Sequence, residues 1–127
     1  MVAEPRVWVD VEAAVREWAR DSVASINRRV FFAYNTSGSS PQLVLFRISG
    51  PDDACVIQFD AWASNKSQAA QLAAELCTAA DELSRYGHGG VLLHGASVVN
   101  GPRWQPDEES NAPRYVVDIL FTATADE

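Results

Sequence analysis

After Asp10, the apolar side chains Val11, Ala14, Val15, Trp18, Ala19, Val23 and Ile26 recur every three or four positions, with Ser22 on the same line. That spacing is the period of an α-helix with one buried stripe. Glu12, Arg16, Glu17, Arg20 and Asp21 fall on the other side. Asp10 is a good N-cap residue, so the helix is predicted to begin just after it. A tryptophan on a buried stripe, here Trp18, reads as a core anchor.

The period then shortens to two. RVFFAY (29–34) is β-rich and almost continuously apolar. QLVLFRI (42–48) puts Val44, Phe46 and Ile48 on one side and Leu43, Leu45 and Arg47 on the other. The turn-rich NTSGSSP (35–41) between these runs reads as a flexible hairpin loop, and SGPDDA (49–54) as a tight polar turn. In ACVIQFDAW, Cys55, Ile57, Phe59 and Ala61 face one way and Val56, Gln58, Asp60 and Trp62 the other. Alternation of this kind suits an antiparallel sheet with one face on the core.

A second helical pattern starts with Ser64 as its expected N-cap and runs to about Tyr86, with Gly87 as the stop. Its inward stripe is Ala69, Leu72, Ala73, Leu76, Cys77, Ala80 and Leu83. Alanines keep this helix thin enough to lie close against a sheet. The GHGG that follows reads as a turn between helix and strand. Two more strands, VLLHGASVV (91–99) and RYVVDILFTAT (114–124), flank a 14-residue connection, NGPRWQPDEESNAP. In the last strand Tyr115, Val117, Ile119 and Phe121 alternate with Val116, Asp118, Leu120 and Thr122.

The order α-β-β-β-α-β-β predicts a single α+β domain over residues 1–127, a mostly antiparallel sheet of about five strands with two helices on one face. Apolar residues on both sides of the strands, with helices enough for one side only, point to a partner on the other. Leu43, Leu45, Trp62 and Leu120 are the outward groups expected to supply that contact.

Composition narrows the function classes. With 47% hydrophobic and 21% charged residues the chain is that of a folded globular protein. No apolar run approaches the roughly 20 residues of a membrane span, and the first ten residues lack the pattern of a signal peptide, so a cytoplasmic origin without membrane attachment is expected. The formal charge of −7 argues against a nucleic-acid binder, which needs a basic face; Arg28, Arg29, Arg47, Arg103 and Arg114 never form a run longer than two. Cys55 and Cys77 sit in apolar contexts and read as buried free thiols. His88 and His94 carry no metal-ligand spacing, and neither a nucleophile-elbow motif nor a phosphate loop is present, so no catalytic residue, cofactor or metal is assigned.

Two groups of residues stand out as contact candidates. Asp60 and Trp62 share the outward face of their strand. Either Trp62 is covered by its own chain, with Asp60 accepting from the turn at Ser64–Ser67, or the pair meets another molecule. The second group is Trp104, Asp107, Arg114 and Tyr115, around the acidic loop before the last strand. There Trp104 and Tyr115 are placed to pack together and close the loop, which then either packs on itself or protrudes toward a neighbour.

Over almost its whole length the chain resembles the small tail terminator proteins of long-tailed bacteriophages, also described as head-to-tail connector or minor tail proteins. The resemblance rests on the N-terminal amphipathic helix, RVFFAY, FDAWA followed by SNKSQAAQLAAEL, and WQPDEESNAPRYVVDILFTAT at the end. It implies a structural virion protein, made in the host bacterial cytoplasm, that caps the finished tail tube as a ring, usually of six subunits. Its partners would be copies of itself, the tail tube protein and the head connector or stopper protein, with no cofactor and no catalysis. DNA would pass through without being gripped: six copies at −7 each carry about −42, which repels a polyanion. Tail completion and head-closure proteins of similar size share the pattern and remain alternatives. A small-molecule-binding domain or enzyme, with a pocket between helices and sheet, is the alternative from a different class.

Overall fold

Asp10 opens the first helix as its sequence position predicts, its side chain accepting a hydrogen bond from the Ala13 N–H at 2.9 Å. The computed structural model describes residues 10–26, 29–32 and 41–125. Helix α1 (Val11–Ser22) is followed by a 3-10 turn (Ala24–Ile26), then β1 (Val30–Phe32), β2 (Gln42–Ser49) and β3 (Ala54–Trp62). Helix α2 (Lys66–Glu82), β4 (Tyr86–His88), β5 (Val91–Trp104) and β6 (Arg114–Ala125) complete the chain. The fold is α+β: the six strands form one curled sheet in the order β1-β2-β3-β6-β5-β4. Every neighbouring pair is antiparallel except β1–β2.

The core lies between this sheet and the two helices. Val11, Ala14, Val15, Trp18 and Ala19 of α1 and Ala69, Leu72, Ala73 and Leu76 of α2 meet Leu43, Leu45, Ile57, Phe59, Val117, Ile119 and Phe121 from the sheet. Trp18 packs edge-on to Phe121 with ring centroids 5.3 Å apart, and Phe59 lies 6.2 Å from the same ring. Trp18 is therefore the core anchor its helical position implies. Cys55 is buried, Cys77 half-buried, and both are free; burial pushes each thiol pKa up and keeps it in the unreactive protonated form.

Several expectations are corrected by the tertiary pairing. The second helix is capped by Asn65, whose Oδ1 accepts from the Gln68 N–H at 2.9 Å, rather than by Ser64. It stops at Glu82 rather than near Tyr86, because Tyr86 joins the sheet opposite Leu93 and donates its hydroxyl to Asp21 of α1. GHGG is accordingly a hairpin: His88 ends β4, and Gly89 and Gly90 turn the chain with positive φ into β5. That added strand makes six where about five were expected.

Strand β5 runs on to Trp104, well into the segment expected to be a connection, and pairs Asn100 with Asp118, Arg103 with Val116 and Trp104 with Tyr115. Bulges between Val98 and Asn100 and between Asn100 and Arg103 take up the extra residues around Pro102. Because β1 and β2 are parallel, they do not pair as the two arms of a hairpin; residues 35–40 of the expected loop (35–41) lie outside the described residues. Arg28 and the first ten residues' leader pattern, over residues 1–9, also lie outside them. Leu43 and Leu45 face the helices and are fully buried, so it is Val44, Phe46 and Ile48 that take the outward side of β2. The hydrophobic alternation in QLVLFRI is nearly symmetric, and only the pairing of Leu43 with Ala61 and Leu45 with Phe59 fixes which side is inward.

Candidate interaction surface on the open sheet face

The side of the sheet opposite the helices can be followed from strand to strand by register. At one end Gln42 lies beside Trp62, and Trp62 beside Arg114. The next row is Val44, Asp60, Val116 and Arg103, and the row after it Phe46, Gln58, Asp118 and Asn100. Leu120 and Val56 continue the face beyond them. Val44 and Val116 are buried at the centre, while Ile48 at the far end of β2 is 45% exposed. A polar diagonal thus crosses an otherwise apolar face.

That diagonal is ion-paired. Arg114 Nη1 lies 3.5 Å from Asp60 Oδ2, and Arg103 Nη1 lies 3.2 Å from Asp118 Oδ2. Asp60 Oδ1 also accepts from Gln58 Nε2 at 3.3 Å. The Arg114 guanidinium sits 4.8 Å from the centroid of the Trp62 ring, and its Nε donates to the Gln105 carbonyl at 2.7 Å. Asp60 and Asp118 are each 7% exposed. Burial pushes the Asp60 pKa up, opposed by Arg114 and Gln58. Two acceptors on this face, Asp118 Oδ1 and Gln42 Oε1, are buried with no hydrogen-bond partner.

Of the contact candidates read from the sequence, Asp60, Trp62 and Arg114 are brought together here. Asp60 takes its bonds from Gln58 and Arg114 on the sheet itself, and not from the turn at Ser64–Ser67 that one of the two readings had supplying them. Trp104 and Tyr115 pack with ring centroids 5.3 Å apart, as expected, but on the helix side of the sheet end, where Lys66 Nζ lies 4.8 Å over the Trp104 ring. Asp107 is separate from both: it accepts from the Ser110 N–H at 2.8 Å and the Ser110 hydroxyl at 2.7 Å. The Ser110 hydroxyl and amide hold the Asp107 carboxyl below its ordinary pKa. Its loop packs on itself, with the Gln105 N–H on the Arg114 carbonyl and the Asp107 N–H on the Ala112 carbonyl.

Asp118 and Arg103 were missed as a pair. Asp118 is a lone carboxylate in an apolar strand, which is a signal, but its partner lay in a segment that read as loop. Elsewhere, a surface hollow of about 330 Å³ lies between the start of α1 and β2, lined by Asp10, Glu12, Phe32, Leu45, Phe46 and Arg47. Its charged groups pair among themselves and with the adjoining turn: Arg47 bonds Glu12, and reaches Asp52 at 2.7 Å. Between helices and sheet lies the aromatic and aliphatic core. Among the described residues, no group of three or more His, Cys, Asp or Glu is placed to hold a metal ion, and no helix is long and apolar enough to cross a membrane. His94 Nε2 lies 2.7 Å from Thr124 Oγ1 on the surface.

No protein-family model matches the chain, and no curated protein matches it.

Proposed function

We propose that the protein is a structural component of a phage tail, a tail terminator that caps the tail tube as a ring of about six copies and forms part of the head–tail junction. The observation that carries this reading is the sheet face opposite the helices. Phe46, Val56, Trp62 and Leu120 are partly exposed there and Ile48 is exposed, around a buried centre of Val44 and Val116 and two partly buried ion pairs. An apolar face with a fixed polar pattern is what one protein presents to another. The acidic balance supports the same role, because a ring that passes DNA must not retain it.

Light scattering and negative-stain microscopy, with and without isolated tail tubes, test the proposal. A ring mass in solution, or decoration of tube ends, is expected. A chain that stays monomeric and never associates with tubes would leave a self-contained binding domain or enzyme as the better reading. Capping of length-finished tubes separates a terminator from a tail completion or head-closure protein, which acts at the other partner. Trp62→Ala is expected to keep the far-UV circular dichroism of the native chain and to lose association. Cooperative loss of the fold in that variant would assign Trp62 to the chain's own stability.

A further inference from the structure

The ends of the sheet differ in chemistry. At the β1 edge, Arg16 of α1 donates its Nε to the Val30 carbonyl at 2.9 Å and holds its guanidinium 5.0 Å over the Phe32 ring. Arg29, next to Val30, lies 5.7 Å over the Phe31 ring, and its buried Nε has no hydrogen-bond partner. Phe32 is 42% exposed. Arg47, Arg103 and Arg114 are all neutralised by carboxylates, whereas among the described residues neither Arg16 nor Arg29 meets one. Phe32 shares the inward side of Leu45 and Phe31 the outward side of Val44, so the two guanidiniums flank the β1 edge from opposite faces of the sheet, each over an aromatic ring.

The complementary group lies in the loop between β5 and β6. Glu108 and Glu109 are exposed and, among the described residues, meet no cation. They are held out by a turn that Asp107, Ser110 and Asn111 lock with hydrogen bonds, so presenting them costs little further ordering. The register sets where this loop lies. Val30 of β1 pairs with Leu43, Leu43 with Ala61, Ala61 with Tyr115, and Tyr115 with Trp104. Arg29 and the loop are therefore at the same height along the strands. Laterally they are separated by three to four strand spacings, about 14–19 Å at roughly 4.8 Å each, too far to pair within one chain. Equal height on opposite sides is what a rotation about an axis along the strands requires of two contacting surfaces.

We propose that the Arg16/Arg29 edge of one subunit binds the Glu108/Glu109 turn of a second copy of this chain, as the repeating head-to-tail contact of the ring. This rests on the ring reading above and names its interface. The contact is heterologous, so it propagates around a circle and is not used up in a dimer. The acidic turn would straddle the strand edge, with Arg29 and Phe31 on one face of the sheet and Arg16 and Phe32 on the other.

The test is a charge exchange. Arg29→Glu and the double variant Glu108→Lys/Glu109→Lys are made separately, checked for native circular dichroism, and examined by sedimentation velocity alone and mixed one to one. The loop variant sets like charges across the whole junction and Arg29→Glu does so at position 29, and association of each alone is expected to weaken at least tenfold. Mixed, the two variants alternate around an even-numbered ring with opposite charges at every junction, and association is expected to return. If Arg29→Glu does not fold, the loop variant still decides by itself, since Glu108 and Glu109 are exposed. Assembly of the loop variant as tightly as the wild type, or no recovery on mixing two folded variants, overturns this interface and leaves the ring reading standing. A wild-type chain that forms no assembly even on tail tubes removes both.

Discussion

Replacing Arg114 by methionine would expose how much of the open face is held by one side chain. The substitution keeps an apolar stem of similar reach and deletes three interactions at once. The Asp60 pair, at 3.5 Å, is the largest. Breaking a fully buried pair costs about 3–5 kcal/mol, but the two side chains keep 11% and 19% exposure, which favours the lower end. The hydrogen bond to the Gln105 carbonyl adds about 1 kcal/mol, and the stacking on Trp62 about 0.5–1 kcal/mol. These terms share one side chain and do not add fully, so a net loss of about 3 kcal/mol is expected. At about 4 °C per kcal/mol for a domain of this size, the melting temperature falls by roughly 12 °C.

The pH dependence is a sharper check. Burial raises the Asp60 pKa above 3.8 even with Arg114 present. A carboxyl whose pKa is higher folded than unfolded binds its proton more tightly in the native state. Its ionisation therefore subtracts from stability at neutral pH, and that loss is recovered as pH falls through the folded pKa toward the unfolded one. Removing Arg114 raises the folded pKa further, so the variant should regain stability on mild acidification sooner than the wild type does. Asp60→Asn in the Arg114→Met background should restore the part of the loss that comes from the unpaired carboxylate at neutral pH, leaving the Gln105 and Trp62 contributions lost. Urea unfolding of the four proteins of this double-mutant cycle, at several pH values, measures it. A loss below about 1 kcal/mol, or no rescue by asparagine, would refute the account of Asp60 as a buried charge that depends on Arg114.

Other positions give independent checks. Trp18→Ala opens a cavity against Phe121 and should cost about 3–5 kcal/mol, visible as an early, broadened thermal transition with loss of near-UV circular dichroism. Gly50 has a φ of +87°, and a Cβ there would press into the Ala54 carbonyl; Gly50→Ala should cost about 1–3 kcal/mol by urea titration. Asp107→Ala should leave the melting temperature nearly unchanged while hydrogen exchange at the Ser110 amide accelerates. Because the Asp107 pKa is lowered by its loop, the protection of the Ser110 amide relative to its intrinsic exchange rate should also fall in the native chain as pH drops through that lowered value.

The amino-acid sequence by itself determined both helices, five of the six strands and the α+β class, because local periodicity carries that information. The stripe from Val11 to Ile26 has one possible period, and ACVIQFDAW has one possible alternation. Asp60, Trp62 and Arg114 were legible as contact candidates, and the packing of Trp104 on Tyr115 followed from their positions at the two ends of one loop. What local pattern cannot hold is which neighbour a strand takes. The parallel placement of β1, the inward side of β2, the end of α2 at Glu82 and the reach of β5 to Trp104 were all decided by pairing between residues distant in sequence. Arg103 joins Asp118 for that reason alone: cross-strand hydrogen bonds to β6 outweigh the turn-forming tendency of Asn100, Gly101 and Pro102. The paired arginines at the β1 edge and the acidic turn at the same height are likewise a property of the assembled sheet, since only its register brings residues 29 and 108 to one level.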